Sequence, residues 1–435
     1  MLQRISDLLW GPPTIVLMLL VGALFTFRTR FVQIRRLGAS FRLVGNSLLH
    51  PAEGVSPFQA VCTALAATVG TGNIAGVAGA IALGGPGAIF WMWAAAFFGM
   101  AAKYAEVVLA LRYRKKKNGQ WQGGAMYCIR DGMGRPRLAA LFAWFAMLAS
   151  FGMGNLAQVN TIAVSVLTAA KSVFPRLRPE PVLLATGMVA AMVVAMVSIG
   201  GVKRVGTVME RMVPVVAAAY LFGSVAVLST HREQLPAAVS AIFRGAFAPE
   251  AVLGGSAGIG IWQAIRWGVS RGIFSNEAGL GSAPMAHAAA EAKPEEQGLM
   301  GVFEVFLDTM VLCTLTGLTI LVSGVPIPYG RAAGSELAAA ALETVFGGSA
   351  AGLLALCVTL LALATLICWQ LYGAQCAGYL FGSRGEQIYR LLYLGVILLG
   401  ATMELSAAWT LSDLFNGLMA LPNLVMLISL RKQIK

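Results

Sequence analysis

Apolar segments of about 20 residues recur along this chain, and they constrain its fold more than any other feature. Of the 435 residues, 58% are hydrophobic and 12% are charged, about half the charged share of a soluble domain. The segments are continuous, whereas barrel strands alternate polar and apolar residues. Because lipid offers no hydrogen bonds, each segment must satisfy its own backbone as a helix. The sequence therefore predicts an all-α polytopic membrane protein.

The chain is predicted to form one transmembrane domain over residues 1–435, with eleven membrane-spanning helices. The first helix, 12–28, is an extra N-terminal helix; five helices follow within 58–229 and five more within 255–430. The predicted segments are about 12–28, 58–83, 86–111, 138–170, 181–200, 211–229, 255–290, 298–325, 350–381, 388–404 and 407–430. Because each group contains an odd number of helices, the two halves must cross the membrane in opposite directions. This is the pattern of an inverted repeat.

The net charge of +13 comes from basic residues in alternate short loops. The clusters are Arg28–Arg42, Arg112–Lys117, Lys203–Arg211 and Arg431–Lys435. By the positive-inside rule these loops are cytoplasmic, so the N-terminus lies outside and the C-terminus inside a prokaryotic plasma membrane. The charge therefore indicates a lipid bilayer as partner, with no soluble basic module for nucleic acid. No metal-ligand spacing, catalytic dyad or organic cofactor motif stands out, so we expect no enzyme.

Residues 68–79 read Thr-Val-Gly-Thr-Gly-Asn-Ile-Ala-Gly-Val-Ala-Gly inside an apolar run. Glycine weakens a helix and frees its backbone groups, which lipid cannot satisfy. Freed N–H groups suit a carboxylate, and freed carbonyls suit a cation. Gly70, Thr71, Gly72 and Asn73 are therefore predicted to bind a substrate. The alternative is a surface of small residues for close helix packing, beginning at Gly72.

A second interruption spans 275–282, in the first helix of the second group of five. Ser275 and Asn276 are its predicted substrate contacts. Glu277 is an ionisable group near mid-membrane, where such groups are costly and usually functional. Arg271, six residues earlier, is its predicted partner. The alternative is that this charged pair only pins the broken helix, with no contact to a solute or cation.

Polar side chains in two further apolar helices are candidates for the solute path. Gln158 is predicted to contact substrate, and Asn155 and Asn160 lie beside it in the sequence. Hydrogen bonding between helices is the alternative role for all three. Glu304 and Asp308 are one turn apart and are predicted to share a face. We expect them to act as a gate or a structural pair rather than as a proton relay.

Several long motifs resemble the alanine/glycine:cation symporter family, also called sodium:alanine symporters. Two of them are Phe-Gln-Ala-Val-Cys-Thr-Ala-Leu-Ala-Ala-Thr-Val-Gly-Thr-Gly-Asn-Ile-Ala-Gly (58–76) and Arg-Gly-Ile-Phe-Ser-Asn-Glu-Ala-Gly-Leu-Gly-Ser-Ala-Pro (271–284). The others lie at 84–93, 123–127, 308–316 and 413–423. The resemblance implies a leucine-transporter-type fold with one added N-terminal helix. It also implies transport of alanine and glycine with Na⁺ or, in some members, H⁺.

The resemblance also implies a cation site. The carbonyls of Ala66 and Val69 and a hydroxyl, here Thr365, would hold the cation, and the N–H groups of 70–72 would hold the substrate carboxylate. The family commonly has a second threonine beside Thr365, where this chain has Ala364. An alanine cannot supply the oxygen that a hard cation prefers.

These observations predict a secondary active symporter that imports small neutral amino acids, alanine or glycine, with Na⁺. Coupling to H⁺ is the alternative, with Glu277 as the first carboxylate expected to titrate. An ion channel is a further alternative, but two broken helices suit alternating access better than an open pore.

Overall fold

The computed structural model describes residues 9–49, 54–117, 119–248 and 260–434, and these residues are almost entirely helical. In chain order the helices are α1 Pro12–Arg28, α2 Val32–Arg35, α3 Leu37–Leu49, α4 Pro57–Thr68, α5 Ala75–Gly84, α6 Ala88–Arg112, α7 Ala125–Tyr127, α8 Pro136–Phe151, α9 Ala157–Val173, α10 Pro179–Ser198, α11 Gly201–Thr230, α12 Leu235–Phe247, α13 Ile261–Asn276, α14 Pro284–His287, α15 Pro294–Val305, α16 Thr314–Val322, α17 Ser335–Phe346, α18 Ala350–Thr402 and α19 Leu405–Leu430. Strands β1 Lys115–Lys117 and β2 Gln120–Gln122 form a short antiparallel ribbon.

The all-α membrane fold is confirmed. Within the described residues, seven helical spans are long and apolar enough to cross a membrane, and α4 with α5 makes an eighth as a bent pair. Helical residues overlie each of the predicted segments, although 255–259 lie outside the described residues. Two predicted segments are joined in α18, which is 53 residues long and is interrupted by non-helical Gly382 (φ 73°). The count of eleven spans and the bounds of the two repeats stay predictions.

Helix α6 packs against several other helices, so the position of a contact along α6 shows how deep the neighbouring residue lies in the bundle. A methyl group added at Gly268, in α13, would meet the carbonyl of Ala88 at the start of α6. One added at Gly99 would lie 3.0 Å from the Cβ of Ala278, just after α13. Helices α6 and α13 therefore run in the same direction. Because Gly99 is near the middle of the 25-residue α6, the end of α13 lies at mid-depth.

Three of the predicted cytoplasmic segments meet at one end of the bundle. Arg112, the last residue of α6, donates to the carbonyl of Gln433 and pairs with Glu295 at 2.6 Å. Arg28, the last residue of α1, donates from Nε to the carbonyl of Ile434 at 2.8 Å. The ends of α1 and α6 therefore share a surface with the C-terminal residues. The side of the membrane on which that surface lies stays a prediction.

Three shorter helices, α3, α12 and α17, were not among the predicted segments. They contain 13, 13 and 12 residues, too few to cross the bilayer. Helix α12 buries one face and exposes the other, and α17 does the same. A search for continuous apolar runs cannot find helices of this kind, because their sequences mix polar and apolar residues.

Candidate functional site

The first predicted interruption is present as a break between α4 and α5. Helix α4 ends at Thr68, a single 3-10 turn spans Thr71–Asn73, and the two helices are bent by 58°. The N–H of Gly70 donates to Asn73 Oδ1 at 3.1 Å. In a continuous helix that N–H would donate to the carbonyl of Ala66, four residues earlier. The break therefore frees the Ala66 carbonyl, one of the groups that the family resemblance implies for the cation.

The second predicted interruption is also present, directly after α13. Glu277 adopts a left-handed backbone conformation (φ 54°), and Gly279 and Gly281 follow with φ values of 87° and 80°. For a residue other than glycine this conformation costs about 1–3 kcal/mol. Asn276 caps the helix end by accepting the N–H of Ala278 at its Oδ1, at 3.0 Å. We call these two interruptions break 1 (residues 69–74) and break 2 (residues 277–283).

Break 1 lies against the last turn of α13, directly before break 2, at mid-depth. A methyl group placed on Gly72, in break 1, would lie 3.4 Å from Phe274 Cδ1 and 3.4 Å from Ser275 Cα. Ala278, in break 2, is the residue that lies beside Gly99 at the middle of α6. The closest approach therefore brings the backbone of break 1 against the last turn of α13.

Asp308 connects the two halves of the site. Its Oδ1 accepts from Asn73 Nδ2 at 2.7 Å, and its Oδ2 accepts from Ser275 Oγ and Thr309 Oγ1, both at 2.8 Å. Thr309 Oγ1 in turn accepts from Asn276 Nδ2 at 3.1 Å. Hydrogen bonds to a carboxylate are roughly twice as strong as neutral ones. Asp308, predicted as a gating or structural charge, thus holds break 1 and the end of α13 together.

Asp308 and Glu304 do not form the predicted pair. After Val305 the helix widens into a π-helical stretch, Phe306–Cys313, which changes the direction of the side chains that follow. Glu304 contacts Lys103 Nζ at 3.1 Å and His287 Nε2 at 2.8 Å. The two carboxylates therefore belong to two separate networks, Asp308 to one at the site and Glu304 to one beside it.

Gln158 reaches break 1, whereas its neighbours do not. Its Oε1 accepts from the N–H of Thr71 at 3.4 Å. Asn155 and Asn160 instead donate to backbone carbonyls in the second half of α18. For these two asparagines the interhelical alternative is correct, and Gln158 alone of the three keeps its predicted place at the site.

Two members of the predicted cation set are in contact. Thr365 Oγ1 donates to the freed carbonyl of Ala66 at 2.9 Å. A methyl group on Gly70 would lie 2.6 Å from the same hydroxyl. Val69 ends α4 with a non-helical ψ of 87°, directly before Gly70. Ala364, next to Thr365, is buried and carries no hydroxyl.

The predicted pairing of Arg271 with Glu277 is wrong. Arg271 forms two hydrogen bonds of 3.0 Å with the carboxylate of Asp413, on α19. Along a helix, six residues correspond to a rotation of about 240° beyond one full turn, so the side chains of Arg271 and Glu277 project from different faces. Glu277 accepts instead from Trp369 Nε1 at 3.1 Å and from the hydroxyl of Ser282.

The sequence reasoning missed several residues at or beside the breaks: Thr309, Trp369 and Asn423 in the contacts of the site and of break 2, and Lys103 and His287 in the network of Glu304. A signal was present for Lys103, because Lys103 and Glu106 are charged residues inside an apolar segment. The other residues could not be recognised from the sequence, because their role depends on contacts with residues far away in the chain.

A helical membrane protein in which two broken helices meet at mid-depth around buried polar groups belongs to the secondary transporters. The crystal structure of MhsT in complex with L-phenylalanine has the same leucine-transporter-type fold, with a TM-score of 0.62 at 15% identity over 88% of this chain and 90% of that chain. Residues 1–435 match the sodium:alanine symporter family, and the chain belongs to that family. It is a family of transporters, not of enzymes.

Relatives support the same assignment over the whole chain. The sodium/alanine symporter AgcS of Methanococcus maripaludis is 40% identical, with 99% of this chain and 94% of that protein covered. The probable sodium/glutamine symporter GlnT of Bacillus subtilis is 39% identical, with 98% and 87% covered. An uncharacterized transporter of Haemophilus influenzae is 42% identical, with 100% and 94% covered. The protein is therefore an integral membrane protein of an amino-acid/cation symporter family.

Proposed function

We propose that the protein imports small neutral amino acids, alanine or glycine, together with Na⁺ across the prokaryotic plasma membrane. The observation that carries this proposal is the single carboxylate of Asp308, which ties break 1 to the end of α13. One solute bound between these two elements contacts both halves of the protein at once. Such a contact is what alternating access requires of a substrate.

The substrate carboxylate is placed against break 1. The N–H of Gly70 donates to Asn73, and the N–H of Thr71 makes a longer bond of 3.4 Å to Gln158. The carboxylate is placed at the N–H groups of Thr71 and Gly72, where it would replace Gln158 as the acceptor of Thr71. Thr71 is 1% exposed, and its hydroxyl has no hydrogen-bond partner among the residues that the structure describes. A carboxylate supplies acceptors for these donors, and the positive end of α5 favours it.

The remaining substrate contacts come from the end of α13. Ser275 and Asn276 are fully buried, and their backbone lies opposite Gly72. Phe274 covers the same space with its ring, 3.4 Å from the position of a methyl group on Gly72. This close approach favours a solute with a short side chain, which supports alanine or glycine. Gln158 closes the site from α9.

The cation is placed between the carbonyls of Ala66 and Val69 and the hydroxyl of Thr365. The support is the contact between Thr365 and the freed Ala66 carbonyl, because carbonyl and hydroxyl oxygens are the ligands that hard cations prefer. Binding would draw the end of α4 against α18. Occupancy by the cation would thereby fix the geometry of break 1, to which the substrate binds.

Coupling to H⁺ is a second candidate, because Ala364 offers no oxygen to a metal cation. Glu277 is the carboxylate proposed to take part in that case, since it is fully buried and lies in break 2. Its partners, Trp369 and Ser282, are both neutral donors.

Arg271 and Asp413 are proposed to form a gate on the outer side of the site. They lie toward the start of α6, away from Arg112 and Gln433, which are predicted to be cytoplasmic. Their side chains are 12% and 20% exposed. Arg271 also stacks over Trp409, at 5.0 Å from the ring centroid. A partly exposed, paired arginine directly above the buried site is suited to open and close access.

The test is uptake of labelled alanine by purified protein in liposomes, with Na⁺ and pH gradients imposed separately. We expect accumulation driven by an inward Na⁺ gradient and reduced by excess unlabelled glycine. Accumulation driven only by a pH gradient would replace Na⁺ with H⁺ in the proposal. Equilibration without accumulation under either gradient would contradict symport.

A further inference from the structure

Glu106 is a buried carboxyl group that the proposed transport site does not use. It lies on α6, seven residues beyond Gly99, which places it about 10 Å from the level of the breaks, toward the end of α6 that meets the C-terminus. The residue is 1% exposed. A charged carboxylate at such a position is costly unless a cation or several hydrogen bonds compensate it.

Asn423, on α19, connects Glu106 to break 2. Its Nδ2 donates to Glu106 Oε1 at 2.5 Å and to the carbonyl of Gly279 at 2.9 Å. Its Oδ1 lies against Gly281, where an added methyl group would be 2.6 Å away. One amide therefore contacts two of the three left-handed residues of break 2 and the carboxyl group of Glu106.

Two oxygen atoms of the Glu106 and Asn423 side chains remain without a hydrogen bond. Among the residues that the structure describes, Glu106 Oε2 and Asn423 Oδ1 are buried and have no hydrogen-bond partner. Both atoms are acceptors when Glu106 is ionised, so neither can satisfy the other. A proton on Oε2 turns it into a donor. The acid and the amide can then form a closed pair, in which each group donates one hydrogen bond and accepts one.

The other buried carboxyl groups are compensated differently. Glu304 has Lys103 and His287, Asp308 accepts from three donors, and Glu277 accepts from two. The titratable groups that interact electrostatically with Glu106 are Lys103 on its own helix, Glu304 on α15, and Cys128 after α7. Lys103, the one cation among them, is in direct contact with Glu304. Among the described residues, Glu106 is thus left with neutral donors alone, the amide of Asn423 and the backbone of Gly279, and with no cation in direct contact.

We propose that Glu106 is a proton-binding site, and that the bound proton pairs Glu106 with Asn423 and so holds break 2 in place. A proton fits better than a metal ion, because a hard cation collects about six oxygen ligands, and the described residues offer only two free oxygens here. The site is separate from the Na⁺ position proposed at Thr365. It adds a dependence on pH to the protein whichever ion drives transport.

Infrared difference spectroscopy of the purified protein tests the protonation directly, without substrate. A glutamate in water ionises at about pH 4.3, so a carboxylic-acid C=O band that persists at neutral pH identifies a protonated site. We expect Glu106→Gln to remove intensity from that band. The matched control Glu343→Gln, at an exposed glutamate of α17, should leave the band unchanged. Identical spectra for the wild type and Glu106→Gln mean a carboxylate hydrated by buried water, and overturn the proposal.

Asn423→Leu keeps Glu106 and removes its amide partner. We expect it to shift the carboxylic-acid band rather than to delete it, since the acid loses its hydrogen-bonded pair. An unshifted band contradicts the pairing even if Glu106→Gln fails to fold.

Uptake then measures the consequence for break 2. Glutamine can donate to Asn423 Oδ1 as the acid does, so Glu106→Gln should retain alanine uptake within about twofold and lose the decline that we expect of the wild type at alkaline pH. A loss of more than about tenfold, equivalent to 1.4 kcal/mol, in a folded variant with an unchanged pH profile would contradict the proposal.

Discussion

Break 1 and break 2 occupy corresponding places in the two predicted repeats, yet they are built differently. Break 1 returns to helix within a few residues and is followed by the ten-residue α5. It is capped from within, because Asn73 accepts the N–H of Gly70. Break 2 extends over 277–283, contains three left-handed residues, and is followed by a helix of four residues.

The partners of the two breaks differ in the same way. Glu277 in break 2 is held by Trp369 of α18, and Gly279 is held by Asn423 of α19. Break 1 is also held from other helices, by Gln158 and Asp308, but it is short and is closed by its own Asn73. Break 2 is longer and is held at Glu277 and Gly279 from two different helices. We infer that break 1 is preformed to bind the substrate. Break 2 changes its conformation when the surrounding helices move.

The largest effect on uptake is expected from Asp308→Ala, because this substitution removes the side chain that joins break 1 to the end of α13. Asn73, Ser275 and Thr309 would lose their shared acceptor, and each buried donor left unpaired costs about 1–3 kcal/mol. Alanine uptake in liposomes should fall by more than about 100-fold. Asp308→Asn, which preserves shape but removes the charge, separates the loss of charge from the loss of packing. Uptake close to that of the wild type in Asp308→Ala would mean that this carboxylate does not join the site.

Gly72→Leu tests whether the substrate binds against the backbone of break 1. The side chain would project into the space between Gly72, Phe274 and Ser275, so alanine binding measured by calorimetry should be abolished. Gly72→Ala is the matched control, because its methyl group would make an ordinary contact at 3.4 Å. Wild-type affinity in Gly72→Leu would refute the placement of the substrate.

Thr365→Ala should weaken the Na⁺ dependence of uptake by about tenfold, since a tenfold change corresponds to about 1.4 kcal/mol and one ligand is lost. Ala364→Thr should strengthen it by a similar factor, because it adds a second hydroxyl beside that of Thr365. The measurement is the initial rate of uptake against Na⁺ concentration. If both variants keep the wild-type dependence, the cation does not bind beside Thr365.

The smallest effect is expected at the proposed gate. Partly exposed ion pairs contribute about 1 kcal/mol or less, so Asp413→Asn should change the KM for alanine by no more than about fivefold. Arg271→Lys should have a comparable effect, because lysine cannot make both hydrogen bonds to Asp413. A double-mutant cycle on uptake measures their coupling. Strictly additive effects would show that the two residues do not act as a gate.

The glycine and asparagine pattern of break 1 predicted its structure well, because those residues act locally on their own backbone. The predicted approach of the two interruptions rested on matched positions in two halves, and the structure places Gly72 of the first against Ser275, the first residue of the predicted second one. Pairings over long distances were not predictable in this way. Arg271 meets Asp413 across 142 residues, and Asn73 meets Asp308 across 235. A helix face shows which way such a side chain points, but packing decides what lies opposite.

A structure determined with alanine and Na⁺ tests the central claim most directly. The account predicts the amino acid between break 1 and the end of α13, with its carboxylate at Thr71 and Gly72 and its other end toward Ser275 and Asn276. Alanine bound away from break 1, with an unchanged contact between Gly72 and Ser275, would contradict it.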